Sequence, residues 1–263
     1  MSLVRVEPLG SGVVRLVLAR AAMHNALVPE LLDDLLEALR ELGQSAACAA
    51  VLLAADGPAF SIGGDMRRFQ RERQGNLQAY AAGLVGKLNQ AILALIDLPQ
   101  PVVAAVHGVV TGGSIGLVLA ADLVYLAPEA VFKAHYATAG FGPDGGWTAL
   151  VGRLAGPRRA AAALLLNRSV RAGEAVAWGL ATEVVAAGQL QETATAAARK
   201  IAAYPAGTMR TVKTLLRCDR DRLAADLEAE RRHFLELIAT PEALAGVDTF
   251  LQRFQDYPDS PDP

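Results

Sequence analysis

Short, almost wholly apolar runs alternate with stretches of helical periodicity over the first 145 residues. Runs that are apolar at every position are typical of parallel strands covered on both faces. The longer stretches at 29–42 and 77–96 repeat their apolar residues with helical spacing. This alternation predicts an α/β fold with a largely parallel sheet. The predicted strands are 4–8, 13–18, 49–54, 102–106, 123–126 and 131–134.

Helical periodicity dominates from residue 146 onward. One short strand is predicted there, at 182–185. The segment 60–75 is rich in Gly and Arg and predicts a loop, and the tail 258–263 is expected to fray. A further short helix is predicted at 114–120, after a glycine-rich turn. The remaining predicted helices are 147–154, 157–166, 172–178, 190–203, 207–218, 222–239 and 241–255.

Composition narrows the class of protein. The chain has 263 residues, 52% of them apolar, with a mean hydropathy of +0.28, which excludes a disordered chain. Its net charge of −2 gives no general attraction to nucleic acid. The longest apolar stretches are much shorter than the ~20 residues that span a bilayer, so no membrane is expected. Two cysteines and the absence of a signal-peptide pattern favour the cytoplasm and no disulfide framework.

Three glycine motifs suggest other chemistries. The G-x-G-x-x-G match at 140–145 lies mid-chain and lacks the acidic residue that a dinucleotide site needs. The segment 108–114 imitates a P-loop without its lysine. The match around Ser114 to G-x-S-x-G leaves a serine hydrolase as an alternative, although only His135 and His233 follow it.

Two glycine pairs permit chemistry carried by the backbone. Gly63 and Gly64 follow a predicted strand, whereas Gly112 and Gly113 open a helix. Glycine allows backbone N–H groups to approach a ligand closely, and two converging N–H groups form an oxyanion hole. The alternative is that both pairs only serve tight turns.

Several segments in this order resemble the crotonase family, the enoyl-CoA hydratase/isomerase superfamily. The resemblance covers nearly the whole chain. It implies a ββα spiral core over residues 1–200 that binds acyl-CoA, and a helical trimerisation region over 201–263. It also implies trimers or dimers of trimers, and coenzyme A as part of the substrate thioester with no separate cofactor and no metal. The matching segments are RAAMHNAL at 20–27, AFSIGGDM at 59–66, PVVAAVHG at 101–108, TGGS at 111–114, PDGG at 143–146 and AGVDTFLQR at 245–253.

The resemblance also implies roles for individual residues. The backbone N–H groups of Gly64 and Gly113 would hold the thioester oxygen and stabilise an enolate. Arg67 would contact the phosphates of CoA, with Arg68, Arg71 and Arg73 extending that loop. Phe250 and Arg253 match residues that can reach a neighbouring subunit's CoA site. The segments that hold adenine and pantetheine in the family correspond here to Arg20, Asn25, Ala26, Phe60, Ser61, Ile62 and Asp65.

The chain departs from the family's hydratases at both of their glutamates. Gly116 and Tyr136 stand at those positions, so ordinary hydratase activity is not expected. Asp144 lies where the family's double-bond and ring-opening isomerases carry an acid, although Pro-Asp-Gly-Gly is also good turn chemistry. Gly116, His135, Tyr136 and Trp147 are candidates to bind the acyl part of the substrate.

The prediction is therefore an acyl-CoA isomerase with Asp144 as acid and base. Hydratase-like activity and a CoA-ester-binding protein with little catalysis are the alternatives. The family's dehalogenases place a histidine base on the long second helix, and residues 77–96 contain none. That difference argues against dehalogenation.

Overall fold

The computed structural model describes residues 2–186, 188–217 and 219–255, without the side chains of 253–255. Within these residues it contains two sheets. The strands are β1 (Val4–Gly10), β2 (Val13–Leu18), β3 (Ala50–Ala55), β4 (Val102–Val106), β5 (Val109–Thr111), β6 (Leu123–Leu126), β7 (Val131–Lys133), β8 (Val170–Arg171) and β9 (Glu183–Val184). The helices are α1 (Pro29–Gln44), α2 (Met66–Glu72), α3 (Leu77–Asp97), α4 (Ile115–Leu119), α5 (Tyr136–Ala139), α6 (Val151–Leu154), α7 (Pro157–Leu165), α8 (Ala172–Ala177), α9 (Leu190–Ala202), α10 (Ala206–Leu216), α11 (Arg220–Leu237) and α12 (Pro241–Gln255).

The larger sheet confirms the predicted parallel arrangement. Its six strands have the order β1-β2-β3-β4-β6-β9, and only the β1–β2 pair is antiparallel. The smaller sheet has the order β5-β7-β8. The chain passes from one sheet to the other at Gly108, whose φ is +59° and whose missing Cβ would lie 2.2 Å from the Pro58 carbonyl oxygen. Only glycine fits this crossing.

Helices cover both faces of the larger sheet. Side chains alternate along β3, so Val51 and Leu53 face the main core with α1 and α3, whereas Ala50 and Leu52 face α9. The α9 residues on that face are mostly alanines, which allow the helix to lie close to the strands. The continuous apolar runs in the sequence follow from this double coverage.

Helix α3 lies between α1 and α11. It is long and apolar enough to cross a membrane by length and composition, and half of its most apolar window is buried in the fold. A core helix of a soluble protein passes the same test. The Asn89 amide on α3 donates to the Leu227 carbonyl of α11 at 3.1 Å.

Two predictions of secondary structure are wrong. The predicted loop at 60–75 contains α2, because the Asp65 carboxylate accepts the Arg68 N–H at 3.1 Å and caps the helix. The predicted helix at 147–154 begins only at Val151. Residues 147–150 instead form hydrogen-bonded turns, in which the N–H groups of Leu150 and Val151 both donate to the Gly146 carbonyl. The division of the chain at residue 200 stays a prediction, and Cys218 and residues 256–263 lie outside the described part of the chain.

A buried lysine joins α10 to the rest of the fold. Lys213 Nζ donates to the carbonyl oxygens of Leu95 and Gln100, both at 3.1 Å, and lies 3.0 Å from the Asp122 carboxylate. Asp122 in turn accepts the Val102 N–H at the start of β4 at 2.7 Å. Burial lowers the pKa of the Lys213 ammonium.

We expect Lys213→Met to lower the free energy of unfolding by about 3 kcal/mol, because it leaves buried acceptors without their donor. Urea denaturation measures the difference. Lys200→Met, at an exposed position on α9, is the control and should change stability by less than about 0.5 kcal/mol. Equal effects of the two substitutions would contradict the assigned role.

Candidate active site

The two predicted glycine loops and Asp144 meet in one pocket. Its wall is mainly apolar and takes residues from α2, α3, α5, α11 and α12. Among the described residues, no group of three or more His, Cys, Asp or Glu side chains could hold a metal ion. The lining residues that sequence analysis named are Ile62, Gly64, Gly113, His135, Tyr136, Asp144 and Phe250.

The first glycine loop is fixed by backbone contacts. Gly63 has a φ of +73°, and a Cβ there would lie 2.6 Å from the Thr111 carbonyl oxygen. The Gly63 carbonyl accepts the Leu27 N–H at 2.7 Å. Because a trans peptide directs its C=O and N–H to opposite sides, the N–H of Gly64 points away from Leu27. Gly64 lines the pocket, and so does Leu27.

The second glycine loop is fixed in the same way by a side chain. The Trp147 indole donates from Nε1 to the Gly112 carbonyl at 2.8 Å. The N–H of Gly113 belongs to that same peptide and therefore points away from the indole, and Gly113 lines the pocket. Trp147 is fully buried and is not on the pocket wall. It therefore holds the loop and does not form a floor for an acyl group.

Two serines join these loops. The Ser114 hydroxyl is fully buried and donates to the Thr111 carbonyl at 2.6 Å and the Ser61 carbonyl at 3.2 Å. The Ser61 hydroxyl donates to the Asn25 carbonyl at 2.7 Å. A nucleophile elbow exposes its serine at a sharp turn, and Ser114 is instead an internal brace. The serine hydrolase alternative does not fit this geometry.

Asp144 lies directly against the second glycine loop. Gly145 has a φ of +62°, and its missing Cβ would lie 2.3 Å from Gly113 Cα. This backbone contact brings both Asp144 carboxylate oxygens to 3.0 Å from the position that a Gly113 Cβ would take. The Tyr136 hydroxyl donates to Asp144 Oδ1 and to the Asp144 carbonyl.

Burial raises the pKa of Asp144 to about 7. The Tyr136 hydrogen bond opposes this shift, and the nearby Glu230 charge adds to it. Burial, together with the adjacent Asp144, raises the pKa of Tyr136 well above its usual value, so Tyr136 remains a protonated donor. Asp144 can therefore both accept and return a proton near neutral pH.

Glu230 on α11 fixes the loop that carries Asp144, and sequence analysis missed it. Its buried carboxylate accepts the N–H groups of Gly146, Thr148 and Ala149 at 2.7, 2.7 and 2.8 Å, and the Thr148 hydroxyl at 2.5 Å. These bonds fix the hydrogen-bonded turns at 146–149 that precede α6. The signal was present, because Glu230 falls on the buried stripe of α11, between Leu227 and Phe234.

Gly116 lies outside the pocket wall. A Cβ at this position would lie 2.3 Å from the Gly145 carbonyl oxygen and 2.3 Å from Ile92 Cδ1. The backbone contact that places Asp144 therefore fills the space that a side chain at 116 would need. The location of Gly116 therefore does not support its predicted role in substrate binding.

The predicted adenine and pantetheine segments brace the first loop through side chains. Arg20 pairs with Asp65 at 2.8 Å and donates to the Ala26 carbonyl at 2.9 Å. The Asn25 amide donates to the carbonyls of Asp56 and Ala59 at 2.8 and 3.0 Å. Ala26 and Phe60 are buried. Contacts of these residues with a ligand stay a prediction.

The four arginines of the 66–73 segment differ in their partners. Arg68 pairs with Glu72 at 2.8 Å, and Arg73 pairs with Asp248 of α12 at 2.8 Å. Arg67 and Arg71 are exposed, one turn apart on α2, and neither has an ion pair among the described residues.

Helix α12 closes one side of the pocket in its own chain. Phe250 lines the pocket, and its ring meets the His135 imidazole edge to face at a centroid distance of 5.4 Å. Contact of Phe250 with a neighbouring subunit's site stays a prediction. The Arg253 side chain lies outside the described part of the chain.

We expect Asp144→Asn to stabilise the protein at pH 8. The folded protein binds the Asp144 proton up to about pH 7, whereas the unfolded chain releases it near pH 3.8, so wild-type stability falls between these values. Asp144→Asn has no such loss of stability. The difference in free energy of unfolding between this variant and the wild type should therefore grow from pH 4 to 7 and reach about 2–4 kcal/mol above pH 7. Urea denaturation at pH 5 and 8 measures it, with exposed Asp221→Asn as the control. A destabilised variant at pH 8 would contradict the raised pKa.

Comparison with known proteins gives the same family from sequence and from fold. The profile of the family described as enoyl-CoA hydratase/isomerase matches residues 9–259. The chain is 29% identical over 243 residues to the 1,2-epoxyphenylacetyl-CoA isomerase of Escherichia coli strain K12, covering 92% of this chain and 93% of that protein. It is 30% identical over 202 residues to 4-chlorobenzoyl coenzyme A dehalogenase-2 of an Arthrobacter species, covering 77% and 73%.

A solved structure agrees with this result. The fold matches an enoyl-CoA hydratase/isomerase from Xanthobacter autotrophicus Py2 with a TM-score of 0.86 and 26% identity, covering 100% of this chain and 99% of that one. The crotonase-type fold expected from the sequence is thereby confirmed. The chain belongs to the enoyl-CoA hydratase/isomerase family.

Proposed function

We propose that this protein is an acyl-CoA isomerase that uses Asp144 as its only acid and base. The observation that supports this most is the placement of one buried carboxyl group, with a pKa raised to about 7, against the Gly113 peptide in an apolar pocket. Isomerisation needs one group that takes a proton from one carbon and returns it to another. Among the described residues of the wall, Asp144 is the one carboxylate, and it meets that need alone.

The reaction would proceed through an enolate. The thioester oxygen binds between the N–H groups of Gly64 and Gly113, and Asp144 removes a proton from carbon 2. The electron pair moves onto the thioester oxygen, where the two N–H groups stabilise the charge. For a 3-enoyl thioester, the same proton returns at carbon 4 and the double bond shifts to carbon 2. Tyr136 holds Asp144 Oδ1, which leaves Oδ2 for the substrate.

The same site supports hydration less well than isomerisation. It requires groups that activate water and deliver a proton to carbon. Position 116 has no room for a carboxylate, and Tyr136 is already committed to Asp144. Leu84 and Leu88 are the α3 residues on the pocket wall, so α3 offers no base for dehalogenation there.

We further propose that Arg67 and Arg71 bind the phosphates of CoA. Their exposed guanidinium groups lie on one face of α2, whose first residue, Met66, lines the acyl pocket. Arg68 and Arg73 are less suited, because each already pairs with a carboxylate. Arginine suits phosphate because its planar group donates two parallel hydrogen bonds.

Two reactions of 3-hexenoyl-CoA should be lost in Asp144→Asn: deuterium exchange at carbon 2 in D₂O, and the shift of the double bond. Both rates should fall by a factor of ~10³ or more. The wild-type rate should rise with pH through about pH 7 as Asp144 ionises. NMR follows both reactions, and Asp221→Asn is the control.

Each alternative has its own outcome in this assay. Unchanged exchange in Asp144→Asn would overturn the assignment of the base. Binding without exchange in the wild type would favour a CoA-ester-binding protein. Addition of water to crotonyl-CoA faster than isomerisation would favour a hydratase.

Trp147→Phe should lower kcat about tenfold and change KM less, because the Gly113 peptide loses the donor that orients it. The C=O stretch of a bound thioester should move to higher wavenumber in the infrared difference spectrum. Trp178→Phe, which alters the other tryptophan away from the pocket, is the control. An unchanged stretch in Trp147→Phe would exclude this role for the indole.

We also propose that the exposed leucines on α7 and α10 pack between copies of the chain in a trimer or a dimer of trimers. Leu165, Leu215 and Leu216 are each at least 78% exposed, which is unusual for large apolar side chains. Leu215→Asp with Leu216→Asp should give a monomer by light scattering, whereas Val6→Asp on β1 should not. A wild-type monomer would contradict the proposal.

A further inference from the structure

We infer that the acyl end of the pocket accepts a flat, uncharged ring in preference to a linear chain. This inference rests on the proposed function, because it assigns the substrate class of the same site. The evidence for this preference is the set of side chains that form the pocket wall, and it does not depend on the position of Asp144.

Aromatic rings are concentrated at this pocket. Only 5% of the chain is Phe, Trp or Tyr, with seven Phe in total. Four of these seven Phe line the pocket, together with the phenol of Tyr136 and the imidazole of His135. They come from α2, α5, α11, α12 and the residues that flank α5. The four Phe are Phe69, Phe141, Phe234 and Phe250.

The rings hold one another in edge-to-face contact. Phe234 meets Phe69 at a centroid distance of 6.2 Å and Phe141 at 5.1 Å, and Phe141 meets Tyr136 at 6.1 Å. The interplanar angles are 63°, 71° and 72°. Such a set offers ring edges and faces at fixed orientations, to which a further flat ring adds favourable contacts. A linear chain gains apolar burial there but not the quadrupole interaction.

The charges on the wall exclude a charged acyl group. Asp144 is the acidic residue on the described wall, and that wall contains no Lys or Arg. A second carboxylate on the acyl group would be desolvated among mainly apolar side chains and would lie near Asp144. The wall therefore selects a neutral group.

Entry of a ring requires one wall ring to move. The space enclosed by the wall is about 50 Å³, whereas a cavity that holds benzene is about 150 Å³. Phe69 and Phe234 are at most 4% exposed and are packed in the core, so they are fixed. Phe141 and Phe250 are only partly buried, and they are the rings that can turn aside.

Binding of CoA thioesters to Asp144→Asn tests this inference without turnover. The probes for isothermal titration calorimetry are phenylacetyl-CoA, cyclohexylacetyl-CoA, octanoyl-CoA and succinyl-CoA. We expect phenylacetyl-CoA to bind about tenfold more tightly than octanoyl-CoA and at least threefold more tightly than cyclohexylacetyl-CoA. Succinyl-CoA should bind most weakly.

Two variants in the same background separate ring contacts from bulk. Phe234→Leu should lower the preference for phenylacetyl-CoA over octanoyl-CoA at least threefold, because it keeps an apolar side chain and removes the ring. Phe132→Leu, at a fully buried ring outside the pocket, should leave that ratio unchanged.

Equal or tighter binding of octanoyl-CoA, or of succinyl-CoA, would overturn the inference. Equal binding of cyclohexylacetyl-CoA would overturn the preference for a flat ring. Failure of the proposed function is distinguishable, because it would show as absent exchange at carbon 2 in the wild type with the thioester that binds most tightly.

Discussion

The site depends on backbone segments that meet with no side chain between them. A Cβ at Gly63 would lie 2.6 Å from the Thr111 carbonyl oxygen, and one at Gly145 would lie 2.3 Å from Gly113 Cα. These contacts set the positions of Gly64, Gly113 and Asp144 on the pocket wall. The same closeness leaves no room at Gly116, so the approach that places Asp144 also removes the space for a carboxylate there. The same close approach of the backbone thus places the Asp144 carboxylate at the pocket and excludes a carboxylate at position 116.

Two buried carboxylates near this contact have opposite environments. Glu230 accepts four hydrogen bonds from the 146–149 segment, and these donors compensate its charge. Within the described part of the chain, Asp144 receives one side-chain hydrogen bond, from Tyr136, and otherwise faces a mainly apolar wall. Burial therefore dominates at Asp144 and raises its pKa toward neutrality. The first group fixes the loop, and the second is left poised to exchange a proton.

The parts of the fold that were predictable have local signals. The apolar runs of β3 and β4 indicated a buried parallel sheet, whereas the roles of the glycine loops and Asp144 followed from the resemblance to the crotonase family. Helix α2 was missed because it is short and polar, so its cap at Asp65 was its only signal. Glu230 was missed because its partners lie about 80 residues away, at Gly146 and Thr148. The ring-lined wall was missed for the same reason, because Phe69 and Phe234 are far apart in sequence and meet only in the folded chain.

Helix α11 carries both Glu230 and Phe234, one turn apart on its buried face. Glu230 holds the loop of the acid, and Phe234 belongs to the wall of the acyl pocket. A substitution that shifts α11 to suit a new acyl group would therefore also displace the acid. Divergence of substrate range is easier at Phe141 and Phe250, which lie outside this helix. Among related proteins with different acyl groups, the sequence of α11 should therefore vary less than positions 141 and 250.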